Sequence, residues 1–149
     1  MREFEPHTFR MNTNEKGDIG LANIIMDVIN KGYFVFLPFS DSTEVDLIVA
    51  DKCMKLKRLQ IKYRAINKLG CIEVVTSTCI NGKSVPVDLS KTDIWAIYCP
   101  DNKEIYYINT LELLGKKVMK LRISKPKLNN LSVRYAHQYL DLNNVWNET

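Results

Sequence analysis

The chain has 149 residues, 46% of them apolar and 26% charged, the profile of one ordinary globular domain, and no apolar run nears the roughly 18 residues of a membrane span. Met1-Arg2-Glu3-Phe4-Glu5 lacks the apolar segment of a signal peptide, and Cys53, Cys71, Cys79 and Cys99 form no C-x-x-C pair. Secretion, membrane insertion, a zinc site and a disulfide scaffold are therefore disfavoured, and a cytoplasmic protein is expected. The net charge of +4 hides an asymmetry: residues 1–50 carry 4 basic and 8 acidic side chains, net −4, whereas residues 51–149 carry 17 and 9, net +8.

Two stretches, Lys52 to Lys68 and Lys116 to Arg134, contain bases and no acid. Clustered Lys and Arg release counterions from a phosphate backbone, so a polyanion partner is one reading and a solvated basic face is the other. No repeat or low-complexity linker divides the sequence. Residues 1–149 are expected to form a single domain preceded by an arm, Met1 to about Thr13, without periodicity.

A helix is predicted from about Asn14, as its cap, to Asn30, with Leu21, Ile24, Ile25, Val28 and Ile29 as its apolar stripe and Lys31-Gly32 closing it. The β-rich run Tyr33 to Leu37 stops at Pro38, and Val45 to Ala50 reads as a second strand with Asp46 near its start. A long strand follows from about Lys55 to Ala65, then another over Cys71 to Ile80. Asn81-Gly82 is a strong type I′ hairpin signal, because both residues accept positive φ, and Lys83 to Val87 returns. Ile94 to Tyr98 and Ile105 to Ile108 form a second hairpin. Thr110 to Leu114 reads as a helical turn stopped by Gly115, and Ser132 to Leu142 as a C-terminal helix. The order predicts an α/β or α+β fold, a core sheet flanked by helices.

One constellation carries chemistry. On the third strand Gln60 and Lys62 share a face with Arg58 and Arg64, while Leu59, Ile61 and Tyr63 face the core. If the second and third strands are neighbours, Asp46, Gln60 and Lys62 converge on a spot the size of a metal ion. Phosphodiester hydrolysis asks for such a set: a carboxylate to hold Mg²⁺, which prefers hard oxygen ligands, and a lysine to orient water or offset developing charge. Glutamine lends only a neutral amide oxygen, so weaker metal affinity is expected. The bland reading is a turn-capping Asp46, a cross-strand Gln60 and a surface Lys62.

In these residues the sequence resembles the PD-(D/E)XK nuclease superfamily, whose signature is an acid at the start of one strand and (D/E)-x-K on the next, after a helix. It is most similar to the branch that includes a cyanobacterial intron-encoded homing endonuclease, where (D/E)-x-K has become Q-x-K. The likeness runs through Lys16-Gly17-Asp18-Ile19-Gly20, Lys31-Gly32-Tyr33, Asp46-Leu47-Ile48, Gln60-Ile61-Lys62-Tyr63, Asp93-Ile94-Trp95 and the segments after Arg122, about residues 15 to 140. The resemblance implies a restriction-endonuclease-like mixed sheet, Mg²⁺- or Mn²⁺-dependent cleavage of double-stranded DNA, and a homodimer or homotetramer. It also implies Asp46 and Gln60 as metal ligands, the Ile61 carbonyl completing the shell, and Lys62 as the catalytic lysine. The superfamily often places a glutamate on the first helix. Leu21 stands there in this chain, and Asp18 is ranked first as its substitute, ahead of Glu15 and Glu44.

Lys83 on the Asn81-Gly82 hairpin suits a two-stranded ribbon in a major groove, and Lys116, Lys117, Lys120, Arg122, Lys125, Lys127 and Arg134 are candidates for phosphate contacts, as are Arg58 and Arg64. Trp95 and Tyr98 read as core rather than as a base-stacking platform. The leading expectation is a homing-type DNA endonuclease. The alternatives are a Holliday-junction resolvase or restriction-type nuclease, and a DNA-binding module that has lost catalysis.

Overall fold

A computed structural model describes residues 10–124 and 133–148 of the chain. The first helix, α1 (Thr13–Asn30), starts on Asn12 rather than Asn14. The Asn12 side chain accepts from the Glu15 N–H at 2.9 Å, and the Glu15 carboxylate accepts from the Asn12 N–H at 2.6 Å. Only Asn12 stands three residues before a glutamate, so the reciprocal cap selects it.

A five-stranded mixed sheet carries the fold: β1 (Phe34–Phe36), β2 (Leu47–Ala50), β3 (Leu56–Tyr63), β7 (Ile94–Cys99) and β8 (Glu104–Asn109), side by side in that order. Neighbours are antiparallel except β3 and β7, which run parallel with Gln60 opposite Trp95 and Lys62 opposite Ile97. The architecture is α+β, as expected. Between β3 and β7 the chain makes β4 (Cys71–Val75) and a separate two-stranded ribbon, β5 (Ser77–Ile80) with β6 (Lys83–Pro86). The single strand expected over 71–80 is thus two. Thr76 breaks it: its buried hydroxyl donates to the carbonyls of Lys116 and Lys117, and its N–H to Lys117, which ends one ladder before the ribbon begins. At the ribbon's tip Asn81 and Gly82 have φ of 49° and 74°, the left-handed pair that a type I′ turn requires.

The expected turn at 110 is a 3₁₀ helix, Thr110–Leu113. It leads into β9 (Val118–Arg122), which the basic sequence concealed and which pairs antiparallel with β4. At the C-terminus the single helix expected over 132–142 is instead a 3₁₀ turn, Ala136–Tyr139, and α2 (Leu142–Glu148); residue 132 itself lies outside the described residues, as do Lys125, Lys127 and residues 1–9 of the arm. Among the described residues no helix is long and apolar enough to cross a membrane.

The sheet is covered on both faces. Ile24 and Val28 of α1 and Leu142, Val145 and Trp146 of α2 pack on Leu47, Val49, Leu59, Ala96 and Tyr107. The β4–β9 ribbon brings Ile72, Val74, Met119 and Leu121 against Trp95, Ile97, Tyr106 and Ile108 on the other face. Strand β7 is buried on both sides along its whole length, which is why it reads Ile-Trp-Ala-Ile-Tyr-Cys without alternation. The second cover stops short of β1 and β2, so that face stays open over Phe34 and Phe36.

The reciprocal cap gives a first expectation. Asn12→Ala removes the acceptor for Glu15 N–H and lowers unfolding free energy by about 1 kcal/mol. Urea denaturation checks this, and in a Glu15→Ala background the same change should cost distinctly less.

Candidate active site

Asp46 lies one residue before β2, and its N–H donates to the Leu59 carbonyl at 2.9 Å, one residue out of the register in which Leu47 faces Leu59. Asp46 and Leu47 thus both stand against Leu59, a bulge at the end of β2, and the Asp46 side chain turns into an opening that Ile61 and Tyr63 share on the α1 side of the sheet. Beyond that point β2 has ended, and the edge of β3 loses its strand partner. The Asp46 carboxylate replaces it, accepting from the Ile61 N–H at 2.8 Å. In a strand the N–H and C=O of one residue point to the same neighbour, so the Ile61 carbonyl faces this opening too.

The opening is a cleft of about 660 Å³, lined among others by Asp18 and Leu21 of α1, Asp41 and Thr43 of the connecting loop, and Asp46, Ile61 and Tyr63. Leu21, at the position where the superfamily often has a glutamate, does face the cleft, and Asp18 lies beside it. Glu15 and Glu44 are engaged elsewhere, the first in the helix cap and the second in an ion pair with Lys91 at 3.3 Å. Asp41 was not foreseen; it sits in a polar link without periodicity, and nothing local marks it.

Gln60 and Lys62 do not line that cleft; they approach Asp46 along the other sheet face, beside Trp95. The Gln60 amide oxygen is buried and has no hydrogen-bond donor. A buried acceptor without a donor costs on the order of 1–3 kcal/mol, which a water, a donor group or a bound cation would offset. The Lys62 ammonium lies 5.2 Å from the centroid of the Trp95 ring, whose indole N–H donates to Thr92 Oγ1 at 3.1 Å. Trp95 is fully buried, as expected of core, and it also forms the floor beneath the lysine. Burial raises the Asp46 carboxyl above the ordinary carboxylate range, opposed by the Ile61 N–H and the Lys62 ammonium. Burial also lowers Lys62, helped by the charge of Arg64 and opposed by Asp46. Each group thus feels the other's charge.

Among the described residues no three His, Cys, Asp or Glu side chains cluster as a metal site. What the cleft offers a cation is the Asp46 carboxylate and the Ile61 main-chain carbonyl, with Asp18 also on its wall; the Gln60 amide oxygen lies outside it, on the Trp95 side of β3. That all-oxygen, low-charge set fits a hard ion that keeps several of its waters, as Mg²⁺ does.

The remaining candidates are dispersed. Arg58 is bound to Asp93 by two side-chain bonds of 3.1 and 3.0 Å and to the Ser90 carbonyl at 3.2 Å. The guanidinium of Arg64 donates to the Tyr63 carbonyl at 3.1 Å. Lys116 caps the carbonyl of Glu112, Lys120 pairs with Glu73 at 3.7 Å, and Arg122 donates to the Ser124 carbonyl at 3.1 Å. Lys83 stands exposed at the tip of the β5–β6 ribbon.

A family model of PD-(D/E)XK endonucleases matches residues 11–142, nearly the whole described chain. The chain belongs to the PD-(D/E)XK endonuclease family. Among solved structures it is similar to the bacterial homing endonuclease I-Ssp6803I, with a TM-score of 0.72 over 93% of both chains at 18% identity, a likeness of fold. No curated protein sequence matches it. The helix–strand order of this PD-(D/E)XK chain therefore carries its Asp46 and Gln60-Ile61-Lys62 within the fold in which such motifs occur.

A raised Asp46 has a consequence for folding. Above the native pKa, the native state bears an ionised carboxylate at a desolvated position. Below the ordinary carboxylate pKa both states are protonated and the penalty vanishes. Asp46→Asn should therefore unfold at higher urea than wild type at neutral pH, with the gap closing as pH falls through the native pKa toward the ordinary carboxylate value. Paired urea titrations across that range measure it; a gap that widens on acidification would contradict the desolvated carboxylate.

Proposed function

We propose that this endonuclease is metal-dependent and cuts both strands of duplex DNA at a specific site, as a homing-type enzyme. The observation that carries the reading is the Asp46 carboxylate fixed by the Ile61 N–H in a cleft that Asp18 also lines, with the Lys62 ammonium close enough to feel its charge. Asp46, the Gln60 amide oxygen and the Ile61 carbonyl would hold Mg²⁺ or Mn²⁺, with Asp18 reaching the site from α1. Such an ion, when bound, polarises a phosphate oxygen and lowers the pKa of its water.

The chain's own groups supply the rest. Ile61 N–H fixes the Asp46 carboxylate and leaves its second oxygen for the ion. Lys62 is held over Trp95 with a lowered pKa, so its ammonium can orient a water and pass a proton more readily than a solvated lysine. Low dielectric around both groups strengthens their action on a developing charge. Lys83, Lys116, Lys120, Arg122 and Arg64 are proposed to contact phosphates, which positions a duplex without reading it. Arg58 is left out of that set because Asp93 occupies its guanidinium. The exposed β5–β6 ribbon, with Thr78, Ile80, Lys83 and Val85 on one face, has the width of a major-groove reader.

One module of this size buries roughly 600–1,000 Å² on DNA, too little to read a long target, and two antiparallel strands need two sites. We therefore propose a homodimer or homotetramer.

Cleavage of plasmid carrying the gene's flanking region, with and without Mg²⁺, tests the reading. Tight duplex binding without nicking at any Mg²⁺ or Mn²⁺ concentration would instead make the chain a DNA-binding module. Lys62→Ala should lower the single-turnover rate by roughly 100-fold or more while duplex affinity in Ca²⁺ stays within a few-fold. Gln60→Glu should tighten Mn²⁺ binding, read by calorimetry without DNA, because a carboxylate attracts the cation where an amide oxygen only coordinates it. Unchanged Mn²⁺ affinity would remove Gln60 from the ligand set.

A further inference from the structure

Strand β1 is an outer edge of the sheet, and among the described residues nothing pairs with its free side. Natural edges are protected by lysine, by bulges or by a covering element. This one runs through seven consecutive uncharged residues, Tyr33-Phe34-Val35-Phe36-Leu37-Pro38-Phe39. Val35 packs into the core, but Phe34 is 51% exposed, Phe36 46% and Leu37 61%, and Phe39 is fully exposed.

The flank of α1 above this edge is apolar as well. Asp27 accepts a hydrogen bond from Tyr107 of β8, so its side of the helix points toward the far edge. At roughly 100° per residue, Ile29 lies about 200° round the helix from Asp27, and Asp18 and Ile25 lie about 180° and 160° round, all on the flank toward β1. Ile29 is more than half exposed. The five side chains Ile29, Phe34, Phe36, Leu37 and Phe39 leave roughly 500–600 Å² of apolar surface in water, at the top of what most monomers expose and short of the ~800 Å² per partner of a standard interface.

We infer that the β1 edge and the adjoining flank of α1 form the self-association surface of this protein, with a second copy adding its own β1 antiparallel across a two-fold axis. The sequence of the strand is self-complementary. Phe34-Val35-Phe36 reads the same in both directions, so pairing centred on Val35 sets Phe34 of each protomer opposite Phe36 of its partner and gives two cross-strand aromatic pairs on the open face. No charge lies in the run, so the two-fold brings no like charges together, and an acidic or basic partner would find nothing complementary. The strand is short, so aromatic burial rather than ladder bonds supplies the affinity. The junction joins two five-stranded sheets into one and removes both exposed edges. It also relates two clefts by symmetry, since Asp18 on the same flank and Leu37 beside the strand both line the cleft.

Sedimentation equilibrium of the full chain without DNA, across micromolar concentrations, tests this. Wild type should be a dimer or a multiple of one. Phe34→Lys/Phe36→Lys should weaken association by roughly 100-fold and sediment as a monomer with unchanged far-ultraviolet circular dichroism. Ile29→Lys, on the helix surface, should weaken association as well and does not touch the strand. In a Cys53→Ser/Cys79→Ser background, Phe34→Cys/Phe36→Cys should form an intermolecular disulfide on mild oxidation, because directly opposed residues have Cα atoms about 4.5–5.5 Å apart. A monomeric wild type, as expected if the N-terminal arm covers the edge, overturns the proposal. So does an oligomer whose mass none of these lysine variants changes. A monomer that still cuts DNA in Mg²⁺ would remove this surface and leave the nuclease reading intact.

Discussion

The bond from the Ile61 amide to the Asp46 carboxylate is the constraint on which the site depends. It forms where β2 has ended and β3 continues, so the backbone of β3 has a free edge that water or a side chain must satisfy. A carboxylate there does two things: it completes the ladder, and it fixes one of its oxygens so that the other is aimed rather than free. The cost is desolvation, visible in the upward displacement of its pKa. A shorter β3 or a longer β2 would remove the free edge, and with it the reason for a carboxylate at this point.

That free edge follows from how the sheet is covered. Strand β7 is buried on both faces and pairs with β3 in parallel, which places Trp95 beside Gln60 and fixes the depth at which Lys62 sits. The β4–β9 ribbon covers only part of the second face. Had it extended over β2, it would have covered Phe34 and Phe36; the Asp46 cleft opens on the other side, beside α1. The partial cover leaves Phe34 and Phe36 bare on the face opposite the Asp46 cleft.

Much of this was legible in the residues, and the misses have physical causes. The apolar stripe of α1 and the Asn81-Gly82 turn are local signals, and both were read correctly in kind. The helix cap moved from Asn14 to Asn12 because the partner Glu15 decides it, three residues away. Alternation alone could not reveal the break at Thr76, since it is made by carbonyls of Lys116 and Lys117 some forty residues later. Strand β9 carried a usable signal, Met119 and Leu121 inward with Lys120 and Arg122 outward, but read as a basic tract its alternation was overlooked. The C-terminal helix was placed too early because Val145 and Trp146, which anchor α2, lie beyond the stretch that looked periodic. The facial partnership of Gln60 and Lys62 follows from strand alternation, but the Trp95 floor depends on a parallel register that no local pattern encodes.

A glutamine in place of an acid at position 60 is intelligible from the same electrostatics. A second carboxylate near Asp46 at this depth would repel it, raise its pKa further and leave one of the two protonated whenever no cation is present. Glutamine removes that repulsion and lets Asp46 and Lys62 oppose each other's shifts as a single attractive pair. The unfilled site is thereby easier to fold, and a cation at the proposed site would be attracted by one charge instead of two. Occupancy then leans on whatever else brings charge to the cleft, and Asp18 on the facing helix is a group able to do so. Asp18 and Asp46 line the same cleft from different elements, so in the proposed site their repulsion would pass through the water of the opening while attraction for a dication remains.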